Sequence, residues 1–168
     1  MRIIGIDPGS LRTGFGIIDM AATGRLSHVV HGCLDVSGQP FLTRIAAIHS
    51  RLAGILQDFS PQEAAIESVF MARNADSALK LGQARGAALV ALLGKGLPVE
   101  EYTALQIKKA SVGAGHAGKE QVQEMVRRLL DLPARPQADA ADALACAICH
   151  AHHATTRHHW QERRIPAR

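Results

Sequence analysis

Apolar positions along this chain first run in short strand-like blocks and then recur at helical spacing. Ile3, Ile4 and Ile6 form a short apolar run closed by Asp7, Pro8 and Gly9, residues 13–19 form a second, and 28–36 a third. β-Branched residues in blocks of this length suit strands. Turn formers at 22–25 and 37–40 bracket the third block, so the pattern predicts three antiparallel strands joined by short turns. Pro8-Gly9 predicts a type II turn with positive φ at the glycine. From 42 to 59, Ile45, Ile48, Leu52, Ile55, Leu56 and Phe59 recur at helical spacing up to Ser60-Pro61, which predicts an amphipathic helix. A buried strand at 64–66 then stops at Glu67. A long helix capped by Asp76 or Ser77 is expected to about Leu93, with Gly82 and Gly86 four apart, where another helix could approach closely. Beyond it the pattern predicts a strand at 99–102, a short helix capped by Thr103, and a glycine-rich loop at 112–118. A helix at 119–130 should turn Val122, Met125, Val126, Leu129 and Leu130 inward, and a last helix should run from about Ala138 to His152. Strands first, then strands alternating with helices, predict an α/β fold: a mixed central sheet covered by helices.

Composition narrows this to one domain. A chain of 168 residues, 47% hydrophobic, can build one complete core. We expect the domain over 1–153 and read 154–168, basic and histidine-rich without apolar periodicity, as a mobile tail. Met1-Arg2 leads straight into strand, so no secretory leader is expected, and the apolar stretch 87–93 is too short to span a bilayer. Cys33, Cys146 and Cys149 give no disulfide framework and fit free thiols in a reducing cytoplasm. Nineteen basic residues against fifteen acidic leave +4. If four acids gather in one metal site, the remaining surface carries +8, which suits a polyphosphate substrate; a solvated mixed surface explains the total equally well.

Four acids invite a chemical reading. Asp7 and Glu67 each end a short apolar strand. Asp139 and Asp142 stand three apart at the start of the last helix, on one face, with Cβ atoms roughly 5–6 Å apart. Each has a structural explanation as well, since aspartate forms turns and acids are favoured in first helical turns. Together they supply the oxygen ligands that Mg²⁺ or Mn²⁺ prefers. Cys146, Cys149, His150 and His153 lie along one helix, which cannot wrap four ligands around a zinc ion, so core packing is expected for the cysteines. The glycines of 7–14 could instead cradle phosphate as in actin-like kinases, although no Walker A lysine follows and the chain is short for a second lobe. Arg73, Lys80, Arg85, Lys108, Lys109 and Lys119 are candidate phosphate contacts. Phe70 reads as core or as a wedge between bases.

Three motifs resemble one family. Ile4-Gly-Ile-Asp-Pro-Gly-Ser10 with Thr13-Gly-Phe-Gly16, the long segment from Glu67 through Gly86, and Pro136-Gln-Ala-Asp-Ala-Ala-Asp-Ala-Leu-Ala145 closely resemble the RuvC family of bacterial Holliday junction resolvases. The likeness extends to about His150. It implies a ribonuclease H-like fold, a homodimer, and paired cuts in a four-way DNA junction during recombination and repair. By position it implies that Asp7, Glu67, Asp139 and Asp142 bind two Mg²⁺ per subunit, with Mn²⁺ as a substitute. It also implies that Phe70 sits at the junction and that Lys108 and Lys119 stand near the active site. RuvA and RuvB as partners, and cutting after paired thymines, come with the same resemblance. Some relatives have histidine at the position of Asp139, so this site should be the more acidic version. A junction-binding scaffold without activity, a related nuclease acting on structured RNA, and nucleotide phosphotransfer remain as alternatives at this point.

Overall fold

The computed structural model describes residues 1–68, 74–113, 115 and 117–162, the segment 156–162 as backbone. Strands β1 (Arg2–Asp7), β2 (Arg12–Met20) and β3 (Leu26–Asp35) are followed by helix α1 (Phe41–Phe59), β4 (Glu63–Ser68), α2 (Ala75–Gly94), β5 (Val99–Thr103), α3 (Ala104–Val112), α4 (Lys119–Leu129) and α5 (Ala138–Glu162). The five strands form one sheet in the order β3-β2-β1-β4-β5. β1, β2 and β3 pair antiparallel, whereas β4 pairs parallel to β1 and β5 parallel to β4. The mixed sheet expected from the order of elements is therefore present.

Period-2 alternation sorts the strand residues between two cores. Ile4, Ile6, Ala64 and Ile66 join Ile48, Leu52 and Leu56 of α1 and Ala84, Ala88 and Leu92 of α2 on one face. Ile3, Ile18 and Ala65 join Ile107 of α3, Val122 and Val126 of α4, and Leu144 to Cys149 of α5 on the other. Fully burying each such isoleucine or leucine contributes about 1.5–3 kcal/mol. Strand residues alternate between faces, so Gly5 and Asp7 follow Ile3 toward α5, and Glu67 follows Ala65. Both strand-tip acids are thereby aimed at the same helix.

Element ends show local chemistry that the pattern caught in part. Thr103 caps α3 through a capping box with Gln106, as expected. Helix α2 begins earlier than expected because Asn74, not Asp76 or Ser77, accepts the Asp76 N–H at 2.9 Å. Leu129, the last residue of α4, is 37% exposed rather than inward, while Leu130 after it is buried. The last helix continues well past His152 to Glu162, because no glycine or proline interrupts the sequence between Pro136 and Pro166. Thr155 Oγ1 donates to the Ala151 carbonyl at 3.0 Å within it. Among the described residues no helix is long and apolar enough to cross a membrane.

Candidate active site

Helix α5 is seated unusually close to the sheet because glycines floor the contact. A Cβ on Gly5 would stand 2.1 Å from the Ala143 carbonyl oxygen, one on Gly16 2.6 Å from the Leu144 side chain, and one on Gly14 2.0 Å from the Asp139 carbonyl oxygen. Gly5 pairs with Gly16 and Asp7 with Gly14 across the antiparallel β1–β2 ladder. The first turn of α5 therefore sits directly beside the tip of β1. Glu67 stands one residue beyond the Ile6–Ile66 pairing of the parallel β1–β4 ladder, which makes it the lateral neighbour of Asp7. Asp142 lies next to Ala143, the residue over Gly5. Sheet register and helix seating thus bring two strand-tip acids and a helical acid pair to one place.

The loop after Asp7 is held by different means from those expected. Positive-φ glycines among the described residues are Gly24, Gly96 and Gly113, so Gly9 does not make the type II turn. Instead buried Thr13 donates to the Gly9 carbonyl at 3.0 Å and accepts the Gly9 N–H at 3.4 Å. A Cβ on Gly9 would lie 2.1 Å from the Arg12 carbonyl oxygen. Close approach, not backbone handedness, is what requires glycine there.

The electrostatics register the crowding. Burial, followed by the charges of Glu67, Asp142 and Asp139, pushes the Asp7 carboxyl up from 3.8 to about 8, against the pull of Lys119. Burial and the Asp142 charge raise Glu67, with Lys108 opposing. Asp142 is raised by burial and Asp139, opposed by Lys119 and Lys108. Carboxylates arranged so that they disfavour one another's charge are stabilised by a cation placed among them. The donor set, all carboxylate oxygen, suits a hard divalent ion such as Mg²⁺. As the side chains stand, no three His, Cys, Asp or Glu residues among those described already form a coordination shell. The mutual coupling places the acids within electrostatic reach of one another.

Other candidate residues fall in several places. Lys108 on α3 and Lys119 at the start of α4 are the cations that act on the acids. Lys80 pairs with Asp76 one turn away at 2.6 Å on the surface of α2. Arg85 donates from Nε to the Glu67 carbonyl at 3.3 Å and from Nη2 to Glu101 at 2.6 Å. Phe70 and Arg73 lie outside the described residues. Cys146 and Cys149, on the core-facing side of α5, are buried, as expected of them. Cys33 was not singled out for chemistry, yet its Sγ donates to Asp139 Oδ2 at 3.6 Å. It faces Gly14 in the β2–β3 register, and that register is the signal that could have found it. Burial, then the charge and hydrogen bonding of Asp139, push its thiol up to about 11, so it stands there as a neutral donor. His150, 1% exposed, joins the Tyr102 hydroxyl at 3.0 Å and Glu63 at 2.5 Å, tying α5 to β4 and β5.

Comparison with known proteins extends over the same elements. The family described as Crossover junction endodeoxyribonuclease RuvC matches residues 3–150. The Crossover junction endodeoxyribonuclease RuvC of Geobacter sulfurreducens is 55% identical over 155 residues, covering 92% of this chain and 94% of that one. The structure of T. thermophilus RuvC in complex with Holliday junction substrate superposes with a TM-score of 0.86 at 38% identity, covering 94% of this chain and 96% of that one. The yeast mitochondrial Holliday junction resolvase Ydc2 shares the fold at 10% identity, with a TM-score of 0.67 and coverage of 95% and 83%. The ribonuclease H-like architecture expected from the motifs is thus the observed one. The family match and the Geobacter relative cover the strands and the helix that carry all four acids, and this chain belongs to the RuvC family of crossover junction endodeoxyribonucleases.

Proposed function

We propose that this endonuclease resolves four-way DNA junctions by hydrolysing one phosphodiester bond in each of two symmetrically placed strands, using Asp7, Glu67, Asp139 and Asp142 as the ligands of two Mg²⁺ ions per subunit. The observation that carries this reading is the electrostatic coupling of the four acids on one face of the sheet, with Asp7 pushed up to about 8. Divalent ions bound there, Mg²⁺ or Mn²⁺, would lower the pKa of an attacking water and offset charge on the leaving 3′ oxygen.

The chain's own groups do the positioning. Asp7 and Glu67 project from neighbouring strand ends in the parallel β1–β4 register. Asp139 and Asp142 project from a helix that cannot shift on its glycine floor. Lys108 and Lys119 offset part of the acidic charge and are placed to meet a phosphate approaching it. Cys33, its thiol pushed up by burial and by Asp139, donates to Asp139 Oδ2 and helps hold that carboxylate. Attack by water leaves no protein adduct, so the products are a 5′ phosphate and a 3′ hydroxyl that a ligase can rejoin.

Paired cuts need paired sites, which a two-fold dimer supplies. Leu79, Gly82, Gly86, Val90 and Leu93 recur at helical spacing on α2. The three large residues are 67%, 59% and 59% exposed, and nothing lies within 4 Å of a Cβ on either glycine. This stripe is our candidate for the dimer contact. Phe70 at the junction centre, Lys108 and Lys119 near the active site, RuvA and RuvB as partners, and a preference for cutting after paired thymines follow from the family likeness; Arg73 and Lys80 are candidate phosphate contacts from their charge. Three free cysteines fit a cytoplasmic setting.

Cleavage of a mobile four-way DNA junction, compared with duplex DNA and structured RNA under Mg²⁺, tests the reading. Symmetric nicks confined to the junction support it. Equal cutting of duplex or preference for RNA would contradict it.

A further inference from the structure

Arg85 occupies a position that contact with DNA does not explain. It lies on α2, between Gly82 and Gly86, but its guanidinium reaches to the end of β4 and the middle of β5. Nε meets the carbonyl oxygen of Glu67 at 3.3 Å and Nη2 meets Glu101 Oε2 at 2.6 Å. The Arg85 side chain is 19% exposed and that of Glu101 is 54%. Glu101 belongs to β5, where it pairs with Ile66, the residue before Glu67. One planar fork thus joins α2 to neighbouring points on β4 and β5.

That connection falls close to the end of β4, where Glu67 and Ser68 are the last residues paired with β5. β4 ends at Ser68, one residue after Glu67, so the peptide that follows Glu67 lies one residue from the strand's end. Rotation of that peptide would swing the Glu67 side chain relative to Asp7. A charged donor on its carbonyl opposes the rotation more strongly than a neutral one. The fixed geometry of the guanidinium lets it serve Glu67 and Glu101 together, which a lysine ammonium on a flexible stem does poorly.

From this geometry we infer that Arg85 is a positioning residue for Glu67, acting on its backbone from α2. The inference rests on the reading of Glu67 as a metal ligand. It gives Arg85 a place inside the fold in preference to the surface contact with DNA expected from its charge. It also means that a displacement of α2 is transmitted to an acid of the site.

The test uses the full chain with Arg85→Met, Arg85→Lys, Glu101→Gln and Asp7→Asn. Mn²⁺ binding is measured by titration calorimetry in the absence of DNA, beside kcat at saturating junction and junction affinity across salt concentrations. Arg85→Met should weaken Mn²⁺ binding and lower kcat by about 10–100-fold, the range for a group that supports a metal ligand. Junction affinity and its salt slope should stay as in the parent, and Arg85→Lys should recover only part of the loss. Unchanged Mn²⁺ binding and kcat in Arg85→Met would overturn the inference. So would weaker junction binding with a shallower salt slope and normal Mn²⁺ binding, which is the signature of a phosphate contact. If Arg85→Met does not fold, Glu101→Gln, at an exposed position, carries the test: a shift of Mn²⁺ binding in the same direction supports the inference, and none overturns it. Asp7→Asn separates the two levels. Retained Mn²⁺ binding and cutting in Asp7→Asn would defeat the reading of the site itself, whereas their loss there with no change in Arg85→Met defeats only the role of Arg85.

Discussion

Gly14 and Asp139 meet backbone to backbone: a Cβ on the glycine would stand 2.0 Å from the Asp139 carbonyl oxygen and 2.5 Å from its carbonyl carbon. Neither atom belongs to a side chain that could turn away, so a larger residue must push α5 off the sheet. Gly14→Ala should therefore destabilise the fold by roughly 1–3 kcal/mol, the ordinary cost of overpacking, and displace Asp139 from Asp7. Urea unfolding checks the first effect and junction nicking the second. Full stability with full activity would mean that the helix is not seated as described.

Stability should depend on pH through the same acids. Asp7 titrates at 3.8 when unconstrained and about 8 in the fold, so between these values the native state holds a proton that the unfolded chain has released. Its contribution is fully present below the lower value and is lost as pH rises through the upper one. Glu67 and Asp142, also raised, act in the same direction. With no divalent ion added, the protein should melt at a higher temperature near pH ~5.5 than near pH ~8, by roughly 2–4 °C for each kcal/mol involved. Mg²⁺ should narrow the difference, because it stabilises the charged carboxylates, and Asp7→Asn should narrow it too. Scanning calorimetry across this range is the check; a melting temperature that rises with pH and ignores Mg²⁺ would count against the coupling.

Lys119 lowers both Asp7 and Asp142. Removing its charge lets both carboxyls rise further, so they ionise only at higher pH. The acidic limb of kcat against pH, measured at saturating junction, should move upward in Lys119→Met. A fall in junction affinity with the limb unmoved would make Lys119 a phosphate contact alone.

Most of the site's direction could be read from the strands. Alternation of Ile3, Gly5 and Asp7 against Ile4 and Ile6 already places Asp7 on one face, and Ala65 with Glu67 repeats the pattern. The three-residue spacing of Asp139 and Asp142 places that pair on one helical face. What the spacing could not give was convergence, which depends on register and on the glycine floor under α5. Cys33 beside Asp139 and Arg85 beneath Glu67 went unread for the same reason: each partner lies across a fold contact that local sequence does not specify. The length of α5 was underestimated because polar, histidine-rich residues carry no apolar period, although nothing in them stops a helix.

The buried chain Tyr102–His150–Glu63 links α5 to the parallel half of the sheet. His150 Nε2 meets the Glu63 carboxylate at 2.5 Å, and Nδ1 meets the Tyr102 hydroxyl at 3.0 Å. Tyr102→Phe removes the hydroxyl partner of His150, which is only 1% exposed. The expected loss is about 1–3 kcal/mol of unfolding free energy, read by urea denaturation, with junction binding intact. An unaffected unfolding midpoint would show that the bond contributes nothing net.

The central claim is that Asp7 and its three acidic neighbours form the hydrolytic centre, separate from the surface that holds DNA. The most direct measurement is cutting and binding of a mobile four-way junction by Asp7→Asn in Mg²⁺. The account predicts that cutting falls by more than about 100-fold, beyond the usual effect of losing a supporting group in a metal site, while junction binding is retained. Cutting that survives the substitution would contradict it.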